Sequence, residues 1–519
     1  MLVTTASKRA SRRSNPDPVV LIRSSAYSSL PSPGNRVGPS DASNMPTIQA
    51  TTGNPAFVTA AGAHHYRLCG LQIKAPTTLL QGAVVKIGGG ETQLSQFPTD
   101  ITIDRCIVQG DATVGLRRGV QMDAIRGAVI DSYIYSILDT SDSQAVWFYN
   151  TPGPVKVVNN YLEATGENLM TGGADPSYAN SVPSDLEIRR NHFKKQSRAS
   201  WASSWSCKNL MEFKNAQRVL VEGNVFDTNY GDSQNGFSLL ITPRNQSGTA
   251  PWCVTQDITF RLNKVTNVEG GWNISGDDSD YTSERTYRVS LTDNLVVISD
   301  LGGGGVQRGH GITRGPVDVQ IINNTIISSG SCGFHENTPK ADRTIWRNNV
   351  FSAGMPGTGT VSGDPTFSGH FTNHEYSYNV MYASPTTAYT GTGNQFPTAA
   401  TDVFTDYAGG DYTVKAAYQN DGSDGTDPGC DISALATATA NSIGGQWGSE
   451  PATYTDRTYT NAELPRSYVD SRYANQTGTT HVCTTAAEFT TALANCVVGD
   501  IIELTAGNTF TGSFTLRNI

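Results

Sequence analysis

Short aliphatic strands that run into an asparagine step recur along this chain, and no other feature constrains the fold as strongly. They read VVNNYL (Val157–Leu162), IRRNHF (Ile188–Phe193), VEGNVF (Val221–Phe226), FRLNKV (Phe260–Val265), LTDNLV (Leu291–Val296), IINNTI (Ile321–Ile326), WRNNVF (Trp346–Phe351) and YSYNVM (Tyr376–Met381). From Asn160 through Asn191, Asn224, Asn263, Asn294, Asn324 and Asn349 to Asn379 the steps are 31, 33, 39, 31, 30, 25 and 30 residues. A period in this range marks a solenoid. Each repeat carries a β-branched strand and then a turn residue, so the repeating unit is a β-coil. Stacked asparagines either bond to their copies above and below, as side-chain ladders do, or occupy left-handed turn positions.

The 519 residues suffice for several domains, but the repeats argue for one elongated body. Apolar residues make up 37% and charged ones 16%, with 52 glycines, which favours strands and turns over long helices. The net charge of −9 gives no electrostatic case for nucleic acid, though a local basic groove can coexist with it. No apolar run is long enough for a membrane-spanning helix. The opening MLVTTASKRASRRSNPDP is basic and then polar and lacks the apolar stretch of a secretory signal. The eight cysteines form no CxxC pair, which points to buried thiols rather than a zinc knuckle; a Cys483–Cys496 disulfide is the alternative.

Residues 1–18 are expected to be a disordered basic arm, 19–435 the coils, 436–480 a polar linker and 481–519 a cap. Earlier strands lacking the asparagine (His64–Ile73, Ile101–Gly110, Ala128–Ile137) bring the expected total to eleven or twelve coils, a rod of about 55 Å at the usual strand spacing. The long steps must leave the coil as loops, chiefly Lys195–Asn209 and Tyr230–Gln256. Long ordered loops on a solenoid build its binding face, which singles out Trp201, Trp205, Asn235 and Trp252 as substrate-binding candidates.

In the tail, Thr485 and Glu488 form a capping box, and Phe489, Leu493 and Val497 mark one helix face. GDIIEL and GSFTL then read as strands. A helix followed by a first strand closes the N-terminal end of a β-helix, yet here it stands last. Three arrangements are open: the tail caps its own first coil, as in a circular permutant; it caps a neighbour, making a head-to-tail filament; or the sequence is a fragment.

The pattern resembles the right-handed parallel β-helix superfamily of pectate-lyase-like proteins. GAHHYRLCGLQI, NNYLEATGENLMTGGADP, PSDLEIRRNHF and KNLMEFKNAQRVLVEGNVFDTN are similar to a group of uncharacterised bacterial β-helix proteins. The fold class this implies is an all-β right-handed parallel β-helix, with an extracellular or cell-surface setting. A more distant resemblance is to the alginate lyase and chondroitinase B family. It implies a lysine and an arginine on successive coils facing a groove, with carboxylates holding calcium. Here MEFKN offers Lys214, LLITPRNQ offers Arg244, and Glu167, Glu212 and Asp175 are the calcium candidates; the His-Gly that usually follows the arginine is missing. The chemistry implied is β-elimination on a uronate polysaccharide, Lys214 serving as base and cations stabilising the enolate. The polygalacturonase family offers a second enzyme reading through Asp277, Asp278, Asp280 and His310. A non-catalytic fibre or adhesin, joined head-to-tail through 481–519, is the reading outside enzymes.

Overall fold

The computed structural model describes residues 16–336, 338–352, 354–358, 361–384, 388–446 and 461–519. The expected arm 1–18 lies outside these except for residues 16–18. The strands stack, all in parallel, into three long sheets of fifteen, thirteen and eleven strands among the described residues, with a separate two-stranded ribbon. Each coil gives one strand to each sheet in turn, and the molecule is a right-handed parallel β-helix. Thirteen strands in the second sheet put the rod at about 58 Å, slightly longer than the sequence expectation.

Register follows the aliphatic pattern. In the first sheet Leu186, Val219, Ile258, Val289 and Val319 stand one above another. Ile188, Val221, Phe260, Leu291, Ile321 and Trp346 form a second inward column. Every one of these side chains is buried, and each contributes about 1.5–3 kcal/mol relative to exposure. A one-residue slip would turn both columns to solvent.

The asparagines form the ladder. Asn263 Oδ1 accepts the backbone N–H and the Nδ2 of Asn224, both at 3.0 Å. Its own Nδ2 donates to Val221 O, Arg261 O and Asn294 Oδ1, each at 3.0 Å. The pattern runs from Asn160 to Asn379 and ends on Asn394. Lower down, Ser132 takes the same place, receiving the N–H of Cys106 and giving its own to Asn160. The left-handed residue is the one before each ladder asparagine: Asn159, Arg190, Leu262, Asp293, Asn323, Asn348 and Tyr378 have φ between 53° and 58°, and Gly223, before Asn224, has 66°. The bend and the ladder are thus the work of neighbouring residues.

A second corner carries alternating charges, also in left-handed conformation. Asp100 pairs with Arg126, Asp185 with Arg218, Asp257 with Arg288 and Asp318 with Arg343, at 2.5–2.7 Å. Residues 461–474 run down this corner. Asn461 bonds Asp318 O, Glu463 N bonds Asp257, and Arg466 N and Ser467 Oγ bond Asp185. Val469 packs on Ala128, Ile130 and Val158. Tyr473 then lies under the Arg67 guanidinium, 3.8 Å from ring centroid to carbon, with its hydroxyl on Asp104.

This strap returns the chain to its start. Ile501–Leu504 pairs with Val20–Ser24, Thr509–Thr511 with Thr47–Gln49, and Phe514–Leu516 with Phe57–Thr59. The helix Ala486–Asn495 begins on the expected Thr485–Glu488 capping box and buries Phe489, Ala492 and Leu493. Phe489 meets Phe57, Phe510 and Phe514, closing the open end of the core. Val497, expected on that face, is exposed because the helix stops at Asn495. Another helix, Ile432–Thr439, crosses the expected boundary at 435 and packs Leu435 and Ala438 against Leu262 and Leu295. All eight cysteines are buried thiols outside any disulfide, Cys483 and Cys496 included.

Candidate functional site

The sequence candidates gather on the outer face of the third sheet, where two loops rise beside it. Glu167 stands directly above Gln144, and Glu212 stands between Met170 and Leu240. Lys214 Nζ lies 3.7 Å from Glu212 Oε1. Glu212 also accepts from Thr242 Oγ1 at 3.1 Å and from Asn209 Nδ2 at 3.3 Å. Lys208, from the first loop, bonds Asp142 at 2.7 Å and reaches to 3.7 Å from Glu167 Oε1. Gln144 Nε2 donates to the other Glu167 oxygen at 2.7 Å. Three carboxylates and two ammonium groups from successive coils thus form one cluster.

Burial divides the roles. Glu167 is fully buried beneath Lys208, and desolvation together with the Asp142 charge pushes its pKa up to about 7. Burial also opposes ionisation of Asp142, but Lys208 overrides it and holds that carboxyl below its ordinary value. Desolvation works against the charge on Lys214; Glu212, Glu167 and Asp142 outweigh it, so its pKa is raised. Lys214 therefore stays an ammonium at neutral pH, whereas the expected role as base needs a free amine.

Arg244 sits on the next coil, its backbone N–H on Lys214 O at 2.8 Å. Its guanidinium is held by Asp278 at 2.8 Å, Ser279 at 3.0 Å and Asp280 at 2.5 Å. Asp277 is paired with Arg314 and Arg285. The three aspartates proposed for a hydrolase are therefore engaged in ion pairs. His310 points into the core, where Trp346 Nε1 donates to its Nε2, and it does not reach the outer face.

Asp175 receives Ser247 N, Thr249 N and Thr249 Oγ1, stapling the second loop. Among the described residues no three His, Cys, Asp or Glu side chains form a group that could hold a metal ion. Glu167 and Glu212 each face a lysine instead, and these residues do not fit calcium. Trp201 is buried with Leu138, Cys207 and Tyr230, which removes it from any sugar-stacking role. Trp205 packs partly on the same cluster, and Trp252 donates to Ser181 O. Both remain partly exposed, and Asn235 is exposed.

Three residues of the site carry no local sequence mark. Asp142 and Lys208 meet only through coil stacking. Glu269 is buried and accepts the backbone N–H groups of Gly231, Leu301, Gly303 and Gly305, pinning two loops at the upper edge of the cluster. A Cβ at Gly305 would lie 2.5 Å from Glu269 Cβ, which explains the glycine there. The run Gly302–Gly305 was the available signal.

No protein-family model and no curated protein matches the sequence. Among solved structures the chain is similar to the PL6 family alginate lyase AlyGC, with a TM-score of 0.42 and 11% identity, over 95% of this chain and 65% of that one. An arginine-to-alanine variant of AlyGC gives 0.39 and 10%, over 95% and 67%. The catalytic unit of the thermostable GH87 alpha-1,3-glucanase from Streptomyces thermodiastaticus strain HF3-3 gives 0.35 and 12%, over 74% and 69%. The chain spans about two thirds of the length of these proteins. No helix among the described residues is long and apolar enough to cross a membrane.

Proposed function

We propose that the chain is a polysaccharide lyase that cleaves a uronate-containing polysaccharide by β-elimination on the outer face of the third sheet. The observation that supports this reading is the packing of Lys208 and Lys214, which flank the strand Met211–Phe213, against Asp142, Glu167 and Glu212 from three successive coils. β-Elimination needs a cation on the sugar carboxylate and a base for the adjacent proton. Lys214, kept charged by its neighbours, suits the first task better than the second. Glu167 suits proton transfer near neutrality once Lys208 swings from above it. Arg244 holds the acidic 277–283 loop and shapes the groove beyond Lys214. A polymeric substrate of this kind places the protein outside the cell. The test is release of unsaturated uronate, followed by ultraviolet absorbance on alginate, pectate and glycosaminoglycans, for the wild type and Lys214→Ala.

One observation favours a second reading, a fibre assembled end to end. Among the described residues the strand Thr480–Cys483 pairs only with Ile501–Leu504, and Val482 and Val497 beside it are 62% and 59% exposed. Free strand edges with apolar neighbours invite pairing. Concentration-dependent filaments in electron micrographs, lost in Val482→Lys, would support that assembly. A monodisperse monomer at high concentration would remove it.

A further inference from the structure

The far end of the rod contains three buried histidines that the proposed reaction does not use, besides His374, which stacks on Phe367 at the surface. His310 and His335 enter the core from adjacent strands of the third sheet, Arg308–Thr313 and Ser331–His335. Both are completely buried, and their ring centroids are 5.5 Å apart. His370, also buried, ends the helix Asp364–His370 that covers this end. Its Nδ1 bonds Thr366 O and its Nε2 bonds Thr358 N.

The surroundings are aromatic. Trp346 lies against both His310 and His335, Phe371 stands edge-on to His335 at 4.9 Å, and Phe351 approaches His310. The titratable groups around the pair are Cys332 on the strand of His335, His370 on the helix, and Tyr376 and Tyr389. The acid in the first turn of that helix, Asp364, is spent on Thr390. Two glycines make room: a Cβ at Gly333 would lie 2.7 Å from His310, and one at Gly357 would lie 2.4 Å from His370. Among the described residues no carboxylate is hydrogen-bonded or ion-paired to His310 or His335, and a second imidazolium would stand one ring away from the first.

We propose that this histidine core makes the far end of the rod an acid-operated joint. Protonation of His310 and His335 drives the Asp364–His370 helix and the strands under it open, while the coils below stay closed. Burial holds the pKa of His310 down at about 3 and that of His335 well below the ordinary value, with His310 and His370 adding repulsion at His335. The sign follows from linkage. The open form binds more protons between its ordinary imidazole pKa near 6.5 and the depressed closed-state values, so the closed end is fully stable above about pH 6.5 and weakens as pH falls. The ladder asparagines do not titrate, and His192, buried in the coils below, faces a carboxylate, Asp227, at 3.8 Å.

Hydrogen exchange resolved by mass spectrometry, corrected for intrinsic pH dependence, tests this between pH 7 and 4. Peptides covering Arg308–Thr313, Ser331–His335 and Asp364–His370 are expected to lose protection at least tenfold before those covering Val157–Phe193. In His335→Gln the midpoint of that loss is expected at least about half a pH unit lower. Uniform loss along the rod, or an unmoved midpoint in a folded variant, overturns the proposal. Ring-carbon resonances of the eight wild-type histidines serve if the variant does not fold. Two must stay neutral until the far end opens; titration of all eight near pH 6.5 with the end still protected overturns it as well.

Discussion

Lys208 bonds Asp142 at 2.7 Å across 66 residues of sequence. The contact ties the first long loop to the third sheet and sets a cation directly over Glu167. Lys208 is thus the cover of the buried carboxyl and, on the proposed lyase reading, the group that moves to admit a substrate.

The buried carboxyl has a measurable pH signature. Glu167 binds its proton more tightly folded than unfolded, so its contribution to stability is present below about pH 4.5 and is lost as pH rises through about 7. Glu167→Gln is expected to be more stable than the wild type at pH 8, by about 1–3 kcal/mol, and no more stable at pH 4. Urea midpoints at the two pH values check this. An equal offset at both would show that folding leaves the Glu167 pKa unshifted.

The asparagine ladder carries stability well out of proportion to its size. Asn263→Ala removes the acceptor of two Asn224 donors and the donor to Val221 O, all in the core wall. Buried polar groups left without partners cost about 1–3 kcal/mol each, so a loss of about 3 kcal/mol or more is expected from denaturant unfolding. A loss below about 1 kcal/mol would mean water replaces the ladder.

The period of the asparagines and the β-branched strands made the coil legible, because both recur in every turn and serve the same stacking. The capping box at Thr485–Glu488 was equally legible, being local. The strap was not: 461–474 reads as polar linker, and its partners Asp185, Asp257 and Asp104 lie hundreds of residues away. The site was half legible. Glu212 and Lys214, two positions apart in sequence, lie 3.7 Å apart, whereas Arg244 and Asp175 are engaged by loop partners that no spacing reveals. Trp201 shows that a loop tryptophan serves the loop's own small core before any ligand.

The strap is expected to be held chiefly at its lower end. Tyr473→Ala removes the ring beneath Arg67 and the partner of Asp104. Limited proteolysis within 461–474 should become at least about tenfold faster, equivalent to about 1.4 kcal/mol of local opening. Unchanged cleavage would show that Asp185 and Asp257 suffice to hold it.

The thiols are expected to be silent. Burial pushes the pKa of Cys106, Cys253 and Cys332 up to about 12. A thiol reagent should label fewer than one cysteine per native chain and all eight in denaturant, and reductant should leave the melting temperature unchanged. Rapid native labelling, or a melting temperature that falls with reductant, would contradict the buried free thiols.

Lys214 and its carboxylate neighbours are proposed to form a lyase site, and absorbance of unsaturated uronate ends over alginate, pectate and glycosaminoglycans is the decisive measurement. Product is expected with at least one polymer, together with a fall in kcat/KM of at least about 100-fold in folded Lys214→Ala, about 2.7 kcal/mol of transition-state stabilisation. Product formed equally well by the variant, or none from any uronate polymer, would contradict it.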